Sequence, residues 1–355
     1  MKHSNFFRIL AVLLLLCLAL GALSSCEFGL KRQYTDYSFD YFDTFTSVIG
    51  YEVNRNAFDG TFERILDKLE YYHRLYDIYH SYEGINNLYI LNRDKGSAEN
   101  PIKVAPEIID LLEFAKDCYT KTDGYVNIAM GSVLSLWHDQ RVFAKNNPDL
   151  AKLPDPEALA AAAEHTDISK IVINKADSTV YLADSEMKLD VGAIAKGYAV
   201  ERVAEMLEAE GKSGYVLNVG GNVRTVGAMN GGSPWPVGID NPDKSDVNNP
   251  YVATLALAGE ALVTSGTHQR YYVVNGKSYH HIIDKDTLYP AEGYLSVSIV
   301  SPDSGLADAL STALFCMSIE EGRTVLARFP EVSVVWVRSD GSREYSDGFL
   351  AYTTR

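Results

Sequence analysis

The stretch SGLADALSTALF, Ser304 to Phe315, is the most informative part of this 355-residue sequence. Its apolar residues recur at a period of about 3.6, which predicts a helix; they are Leu306, Ala309, Leu310, Ala313 and Leu314. Asp308 and Thr312 lie one turn apart, so they share one helical face. A carboxylate and a hydroxyl are hard oxygen ligands that suit Mg²⁺, although the same pair also occurs on helix faces that are simply solvated.

The N-terminus has the pattern of an exported lipoprotein. Residues 1–25 combine a basic start with the apolar run ILAVLLLLCLALGAL and close on Leu23-Ser24-Ser25 before Cys26. This pattern predicts a signal peptide with a lipobox, whose Cys26 becomes the lipidated first residue; the alternative is an ordinary cleaved signal with an incidental cysteine. We expect residues 26–36 to be a tether and the protein to be lipid-anchored at the cell membrane, facing the periplasm or the cell exterior.

Charge and cysteine content restrict the classes of partner. The formal net charge of −15 argues against nucleic acid and anionic lipid head groups as partners. A polyanionic substrate would need a bound cation or local positive groups to approach. Beyond Cys26, the only cysteines of the folded domain are Cys118 and Cys316, which excludes a cysteine-rich zinc site and favours buried, unpaired thiols.

Helical and strand patterns alternate irregularly along residues 37–355. Apolar periodicity predicts helices over 58–79, 106–122 and 194–210, the last ended by Gly211 in a left-handed conformation. β-branched and aromatic runs predict strands, at 37–53, 171–174, 180–183, 187–191, 214–219, 223–227, 252–257, 261–264, 270–274, 295–300 and 332–337. Such a mixture without regular βαβα order indicates an α+β fold, in one large domain or two tightly joined lobes.

Glycine turns next to charged residues mark two candidate sites. Residues 190–198, DVGAIAKGY, read as a strand end, a glycine turn and a helix start, where backbone N–H groups and Lys196 could bind a diphosphate; the turn could equally be a plain connection. Residues 218–224, NVGGNVR, place two glycines between strands. This is either a tight turn or a surface that a flat ring can approach.

A third cluster lies in TSGTHQRYY, residues 264–272, and in the pair His280-His281. Arg270 is a candidate contact for a phosphate or nucleotide. His281 is a candidate general base, although histidine pairs are more often structural or superficial than catalytic.

These motifs together resemble the ApbE family, the FAD:protein FMN transferases. The matching strings, in order, are DVGAIAKGYAV, NVGGNVRTVG, TSGTHQRYY with HHIIDKDTLYPA, and ADALSTALF, and the resemblance extends back through TDGYVNIAMGSVLSLW to DTFTSV. It implies an ApbE-like domain that uses Mg²⁺ to transfer FMN from FAD to a Ser or Thr hydroxyl of a target protein, releasing AMP. The implied partner is an acceptor flavoprotein subunit of an extracytoplasmic or membrane redox system.

The resemblance also implies roles for particular residues. Mg²⁺ would be held by Asp308, Thr312 and the Ala193 carbonyl, and His281 would help to deprotonate the acceptor hydroxyl. FAD would be bound by the set Asp190, Lys196, Arg270, His281 and Ile282, with Phe42 and Tyr76 flanking one of its rings.

The chain departs from the family pattern at Asn127, at Thr267 and across residues 285–288, where the family usually has an acidic residue, an aspartate and Pro-x-Thr-Gly. These departures concern the flavin pocket and the acceptor entrance more than the metal site. Two other functions use the same motifs: an FAD pyrophosphatase that gives FMN and AMP, and a non-catalytic flavin-binding lipoprotein.

Overall fold

A computed structural model describes residues 31–268 and 270–354. The predicted signal peptide and Cys26 lie outside these residues. No helix within the described ranges is long and apolar enough to cross a membrane. The helices there are α1 Arg55–Tyr76, α2 Leu88–Asp94, α3 Pro106–Lys121, α4 Gly131–Asn146, α5 Pro156–Ala163, α6 Ala195–Ala209, α7 Ser304–Phe315 and α8 Ile319–Leu326.

The strands form one large sheet and three small ones, as an α+β fold requires. The large sheet has the order β1-β2-β6-β7-β10-β13-β14-β15, and its neighbours pair antiparallel. The small sheets are β3-β5-β4, β8-β9 and β11-β12. The strand bounds are β1 Arg32–Ser38, β2 Thr46–Glu52, β3 Ile102–Lys103, β4 Ile171–Asn174, β5 Thr179–Leu182, β6 Tyr215–Val219, β7 Asn222–Val226, β8 Trp235–Asp240, β9 Tyr251–Leu257, β10 Ala261–Gly266, β11 Tyr271–Val274, β12 Lys277–His280, β13 Tyr294–Ser301, β14 Ser333–Arg338 and β15 Arg343–Tyr345.

The large sheet is covered on both faces because its central strands alternate their side chains between two cores. Val263 and Ile299 point towards the core that α6 and α7 share. Leu262 and Val300, one position along, point into the opposite core, which the β8-β9 hairpin covers. Helix α7 therefore packs along β10 and β13, and this packing fixes the distance of the helix from the sheet.

A separate, smaller core joins α4 and α5 to the β11-β12 hairpin. Trp137 is its centre, packed against Tyr272 and Tyr279. The Trp137 indole N–H donates to the Leu288 carbonyl at 2.9 Å, so the segment after β12 is attached to α4. This satellite core corresponds to a second lobe that is joined tightly to the first.

Several boundaries differ from those expected. The predicted strand over 37–53 is two strands, β1 and β2, joined by a loop, and β1 begins at Arg32 inside the expected tether. It does so because residues 32–38 pair continuously with β2. Helix α2 was not predicted. Asn87 caps it by accepting from the Ile90 N–H at 3.2 Å.

The predicted strand over 187–191 is wrong. Met187 and Leu189 are buried in alternation as expected, but the Asn92 side chain occupies the position of a neighbouring strand. Its amide accepts from Leu189 N at 2.6 Å and donates to Leu189 O at 2.9 Å. The helix starting at Pro106, the left-handed Gly211 and the unpaired thiols of Cys118 and Cys316 are confirmed.

Candidate functional site

The candidate site lies at one end of the large sheet, where several predicted motifs meet. The β6-β7 turn, the start of β2 and the end of β10 all reach this end. Helix α7 crosses it, since Ser265 at the end of β10 contacts Ser311 and Thr312. Helix α6 begins beside it and packs on α7 at Gly197. Antiparallel pairing thus collects residues that are far apart in sequence.

A hydrogen bond connects α6 to α7. The Gly197 N–H lies in the first turn of α6, where N–H groups have no partner within the helix, and it donates to the Asp308 carboxylate at 2.8 Å. Ala193 precedes the helix, and no donor among the described residues bonds to its carbonyl. A carboxylate oxygen and a free carbonyl oxygen are therefore both available at the start of α6.

The Asp308 carboxylate is nearly enclosed. Its residue is 6% exposed, and no Lys, Arg or His within the described ranges forms a salt bridge with it. Burial raises the pKa of Asp308, while the charge of Lys196 and the Gly197 hydrogen bond oppose that rise. A buried carboxylate with so little compensation is a group whose charge would be stabilised by a cation.

Thr312 lies one turn beyond Asp308 in α7, as predicted. Its hydroxyl is 3.5 Å from the Ser265 hydroxyl, which in turn is 2.8 Å from that of Ser311. The Ser311 hydroxyl donates to the Asp308 carbonyl at 2.9 Å. Of the three predicted metal ligands, Asp308 and Thr312 lie on adjacent turns of α7, and Ala193 lies just before α6.

The oxygen atoms that could bind a metal ion at this site are mainly neutral. The described residues contain no group of three or more His, Cys, Asp or Glu side chains that could hold a metal. One carboxylate, one hydroxyl and one carbonyl would suit a hard cation that keeps water and substrate oxygens as its other ligands. Zinc or copper, which favour nitrogen and sulfur, do not match this set.

The chain itself satisfies most N–H groups at the start of α6. The Ile194 and Ala195 N–H groups donate to the Val191 carbonyl, and the Gly197 N–H donates to Asp308. The Lys196 N–H has no partner among the described residues, and the Lys196 side chain adds a full positive charge at this helix N-terminus. The diphosphate cradle stays a prediction.

The two adjacent histidines have different environments. His280 is buried: its Nε2 donates to the Ala291 carbonyl at 2.9 Å, and its Nδ1 accepts from the Ile282 N–H at 3.2 Å. His281 uses only Nδ1, which donates to the Arg270 carbonyl at 3.2 Å. Since a carbonyl only accepts, the neutral ring carries its proton on Nδ1 and leaves Nε2 as the proton acceptor.

Positive charge surrounds His281. Burial together with the charges of Arg270, Arg141 and Lys196 lowers the pKa of His281 to about 3. The ring is therefore neutral throughout the physiological pH range, as a base must be. A base with so low a pKa is weak, and an anion that neutralises the surrounding cations would raise the pKa.

A cavity of about 440 Å³ opens beside Asp190. Tyr79 and His138 form one wall, with their rings stacked at a centroid distance of 5.0 Å. Sequence reasoning missed both residues, as well as Arg141 one turn after His138. The sequence signal that could have identified His138 and Arg141 is their i, i+3 spacing, which places them on one face of α4. We did not predict that helix.

Three predicted flavin-binding residues have other contacts. Tyr76 is 3% exposed, stacks on Tyr72 and donates to the Glu107 carbonyl, so it belongs to the core. Its role beside a flavin ring stays a prediction, and Tyr79 lines the cavity. Ile282 is also in the core, with its N–H and carbonyl both bonded. Phe42 packs edge-on against His73 at 5.5 Å, in a left-handed backbone conformation.

The residues that depart from the family pattern have structural contacts. Asn127 donates to the Thr166 carbonyl at 2.9 Å, and the Thr267 N–H donates to the Leu295 carbonyl at 3.1 Å. Leu288 keeps a left-handed backbone, with φ of 62°, at the position where the family pattern has glycine. The turn is thus retained although its sequence has changed.

A buried ion pair sets the position of α7 against α6. Glu201 and Arg224, each 4% exposed, form two hydrogen bonds of 3.0 Å. The same carboxylate accepts from the Ser304 N–H at 2.7 Å, at the start of α7. Arg224 belongs to the predicted glycine-rich motif, and the structure gives it this positioning role.

A helix N-terminus with a lysine, nearby arginines and a buried carboxylate at one end of an antiparallel sheet are features that suit a protein acting on phosphorylated ligands. Residues 42–336 match the family model described as "ApbE family", and the chain belongs to that family. It is 33% identical to an FAD:protein FMN transferase of Treponema pallidum, over 73% of each chain. It is 29% identical to one from Klebsiella pneumoniae, over 70% of this chain and 74% of the relative.

Solved structures agree on the fold. The ApbE protein of Thermotoga maritima superposes with a TM-score of 0.78 at 28% identity, covering 91% of this chain and all of the other. The flavin transferase ApbE of Vibrio cholerae has a TM-score of 0.73 at 22% identity, covering 91% and 99%. The expected α+β, ApbE-like fold is confirmed.

Proposed function

We propose that this protein is a transferase that moves FMN from FAD to a Ser or Thr hydroxyl of a target protein and releases AMP. Its curated relatives carry the name of this activity. The single observation that carries the proposal is the Gly197 hydrogen bond to Asp308, because it holds a buried carboxylate at the start of α6, next in sequence to the Ala193 carbonyl, which has no donor among the described residues.

Mg²⁺ fits the donor set and would be held by Asp308, Thr312 and the Ala193 carbonyl. When bound, it would neutralise charge on the substrate diphosphate during transfer. The role of the chain is to present these three oxygens on α7 and just before α6, two helices whose contact is fixed. The ion pair of Glu201 with Arg224 stabilises the contact between α6 and α7.

The remaining groups hold the dinucleotide and move the proton. The backbone N–H and the side chain of Lys196, at the start of α6, bind the diphosphate oxygens together with Arg270. The acceptor hydroxyl oxygen forms a bond to the FMN phosphorus as the phosphorus–oxygen bond to AMP breaks. His281 Nε2 takes the hydroxyl proton, and AMP leaves with the bonding electron pair.

The low pKa of His281 suits a base that is weak in the free protein and becomes stronger when substrate binds. In the free protein, three cations and burial hold the pKa of the ring near 3. A bound diphosphate would offset those cations and raise the pKa, so proton uptake strengthens when FAD is in place.

The acceptor and the location follow from the N-terminal pattern. Residues 1–25 and Cys26 support an exported, lipid-anchored protein, and such an enzyme would act on a flavoprotein subunit of an extracytoplasmic or membrane redox system. Loss of membrane association by a Cys26→Ala variant in cell fractionation would support the anchor; unchanged association would contradict it.

Mass spectrometry of an acceptor tests the function directly. A domain carrying a flavinylation motif is incubated with the purified protein, FAD and Mg²⁺. A mass gain equal to FMN on a Ser or Thr, absent without Mg²⁺, supports the transferase. Release of FMN and AMP without an adduct would indicate a pyrophosphatase, and FAD that stays bound and intact would indicate a flavin-binding protein.

A further inference from the structure

Arg141, in α4, is a half-buried cation without a carboxylate partner. Its guanidinium donates to His138 Nδ1 at 3.2 Å, and within the described ranges no Asp or Glu lies close enough to form a salt bridge with it. Arg224, the other arginine with extensive burial, is paired with two glutamates. Burying a charge without such compensation costs free energy.

A second arginine adds to this cost. The strongest charged influence on Arg141 is Arg270, and burial together with that neighbour lowers the pKa of Arg141. Asp190 acts in the opposite direction but more weakly. The two arginines and Lys196 also act together on His281. Trp137, one turn before Arg141, packs against Tyr272, two residues after Arg270, with ring centroids 6.4 Å apart. Helix α4 therefore lies against the segment that carries Arg270, and a multivalent anion between the two arginines would offset their repulsion.

The surroundings favour a nucleotide as that anion. The cavity wall beside Arg141 is the stacked pair Tyr79 and His138. His138 Nδ1 accepts from the Arg141 guanidinium, so its other nitrogen carries the ring proton and remains a donor towards the cavity. Asp139 and Asp190 also line this cavity, and neither Arg141 nor Arg270 does. Its size and aromatic wall suit a ring, and phosphates joined to that ring would lie beyond His138, on the side of Arg141.

We infer that Arg141 is a substrate-binding residue that forms, with Arg270, a two-arginine clamp on the diphosphate of the dinucleotide. This inference rests on the proposed function. The planar guanidinium can bind two phosphate oxygens in parallel, which an ammonium group cannot do. Arg141 lies outside the four motifs that carry the family resemblance, so the clamp is a feature of α4 in this chain.

The test measures FAD affinity of the full mature protein by quenching of intrinsic fluorescence, at low and high salt. Arg141→Gln is expected to weaken FAD binding about 10- to 100-fold at low salt, as loss of one charge-assisted contact predicts, and to reduce the salt dependence. Arg141→Lys should recover part of the affinity. Lys145→Gln, which removes an exposed cation from the same helix, is the matched control and should bind as the wild type does.

Each outcome is decisive. Wild-type affinity and salt dependence in Arg141→Gln would overturn the clamp while leaving the proposed function intact. Weaker binding with unchanged salt dependence would also overturn it, because it would show general damage to the cavity. A wild-type protein that fails to bind FAD at all would contradict the proposed function as well.

Discussion

Gly197 and Asp308 are in contact through both backbone and side chain. The Gly197 N–H donates to the Asp308 carboxylate at 2.8 Å, and a Cβ added at Gly197 would lie 2.5 Å from Asp308 Cβ and against the Ser304 carbonyl. Real Cβ atoms do not approach so closely. The glycine is therefore what allows α6 and α7 to touch at the candidate metal site.

Gly197→Ala should separate these helices. We expect the free energy of unfolding to fall by about 1–3 kcal/mol, as overpacking predicts, and Mg²⁺-dependent turnover to fall with it. Gly60→Ala is the matched control, because Gly60 lies in α1 and a Cβ there meets nothing within 4 Å. That variant should be stabilised by about 0.5–1 kcal/mol. Urea unfolding of both variants is the measurement, and equal effects would contradict the close-packing argument.

Asp308→Asn keeps an oxygen for the Gly197 N–H but removes the charge. Because burial already raises the pKa of Asp308, the neutral amide should leave the melting temperature unchanged or higher. AMP release in the presence of Mg²⁺ should fall by roughly 10³-fold or more, since a metal ligand contributes several kcal/mol. Asp340→Asn, at an exposed turn, serves as the control. Near-normal AMP release by Asp308→Asn would refute the metal assignment.

Glu201→Gln should destabilise the protein strongly. It leaves Arg224 buried without its main partner, which costs about 3–5 kcal/mol, and it weakens the tie to Ser304. Glu208→Gln removes the partner on the exposed side of Arg224 and should cost less than about 1 kcal/mol. Denaturant unfolding of the two variants compares them directly; a similar loss in both would mean that the Glu201 pair has no special role.

His281 should make the fold sensitive to acid. Its pKa is about 3 in the folded protein and ordinarily 6.5, so the unfolded chain binds the proton first as pH falls. Stability is therefore lost as pH falls from about 6.5 towards 3. His281→Gln removes this contribution, and the drop in unfolding free energy between pH 7 and about pH 5 should be smaller in the variant than in the wild type. The same drop in both would show that His281 does not titrate in this way.

The sequence predicted the elements with strong internal periodicity better than the contacts between them. Helix α7 is confirmed because its apolar stripe is regular and Asp303 caps it by accepting from the Leu306 N–H at 2.7 Å. Helix α2 is too short to show a stripe. The false strand at Met187 has strand alternation, but its partner is the side chain of Asn92, which no local pattern predicts.

The site was predicted in part for the same reason. Asp308, Thr312, Lys196 and His281 belong to motifs with a readable spacing, and they converge on one end of the sheet. The carboxylate of Asp308 reaches the start of α6, near Ala193, through a hydrogen bond between two helices. The sequence does not encode such a contact locally. Arg141 and Tyr79 reach the site only because α4 and the segment after α1 fold over it.

The candidate catalytic and binding residues belong to two different hydrophobic cores. Asp308 and the start of α6 belong to the main core, whereas Arg270 and His281 lie at the ends of the β11-β12 hairpin, which packs with α4 in the satellite core. A dinucleotide bound to both sets would act as a non-covalent crosslink between them. Its departure would remove one of the links between the hairpin and the main core, so amide exchange in β11 and β12 should report occupancy of the site more sensitively than exchange in α7.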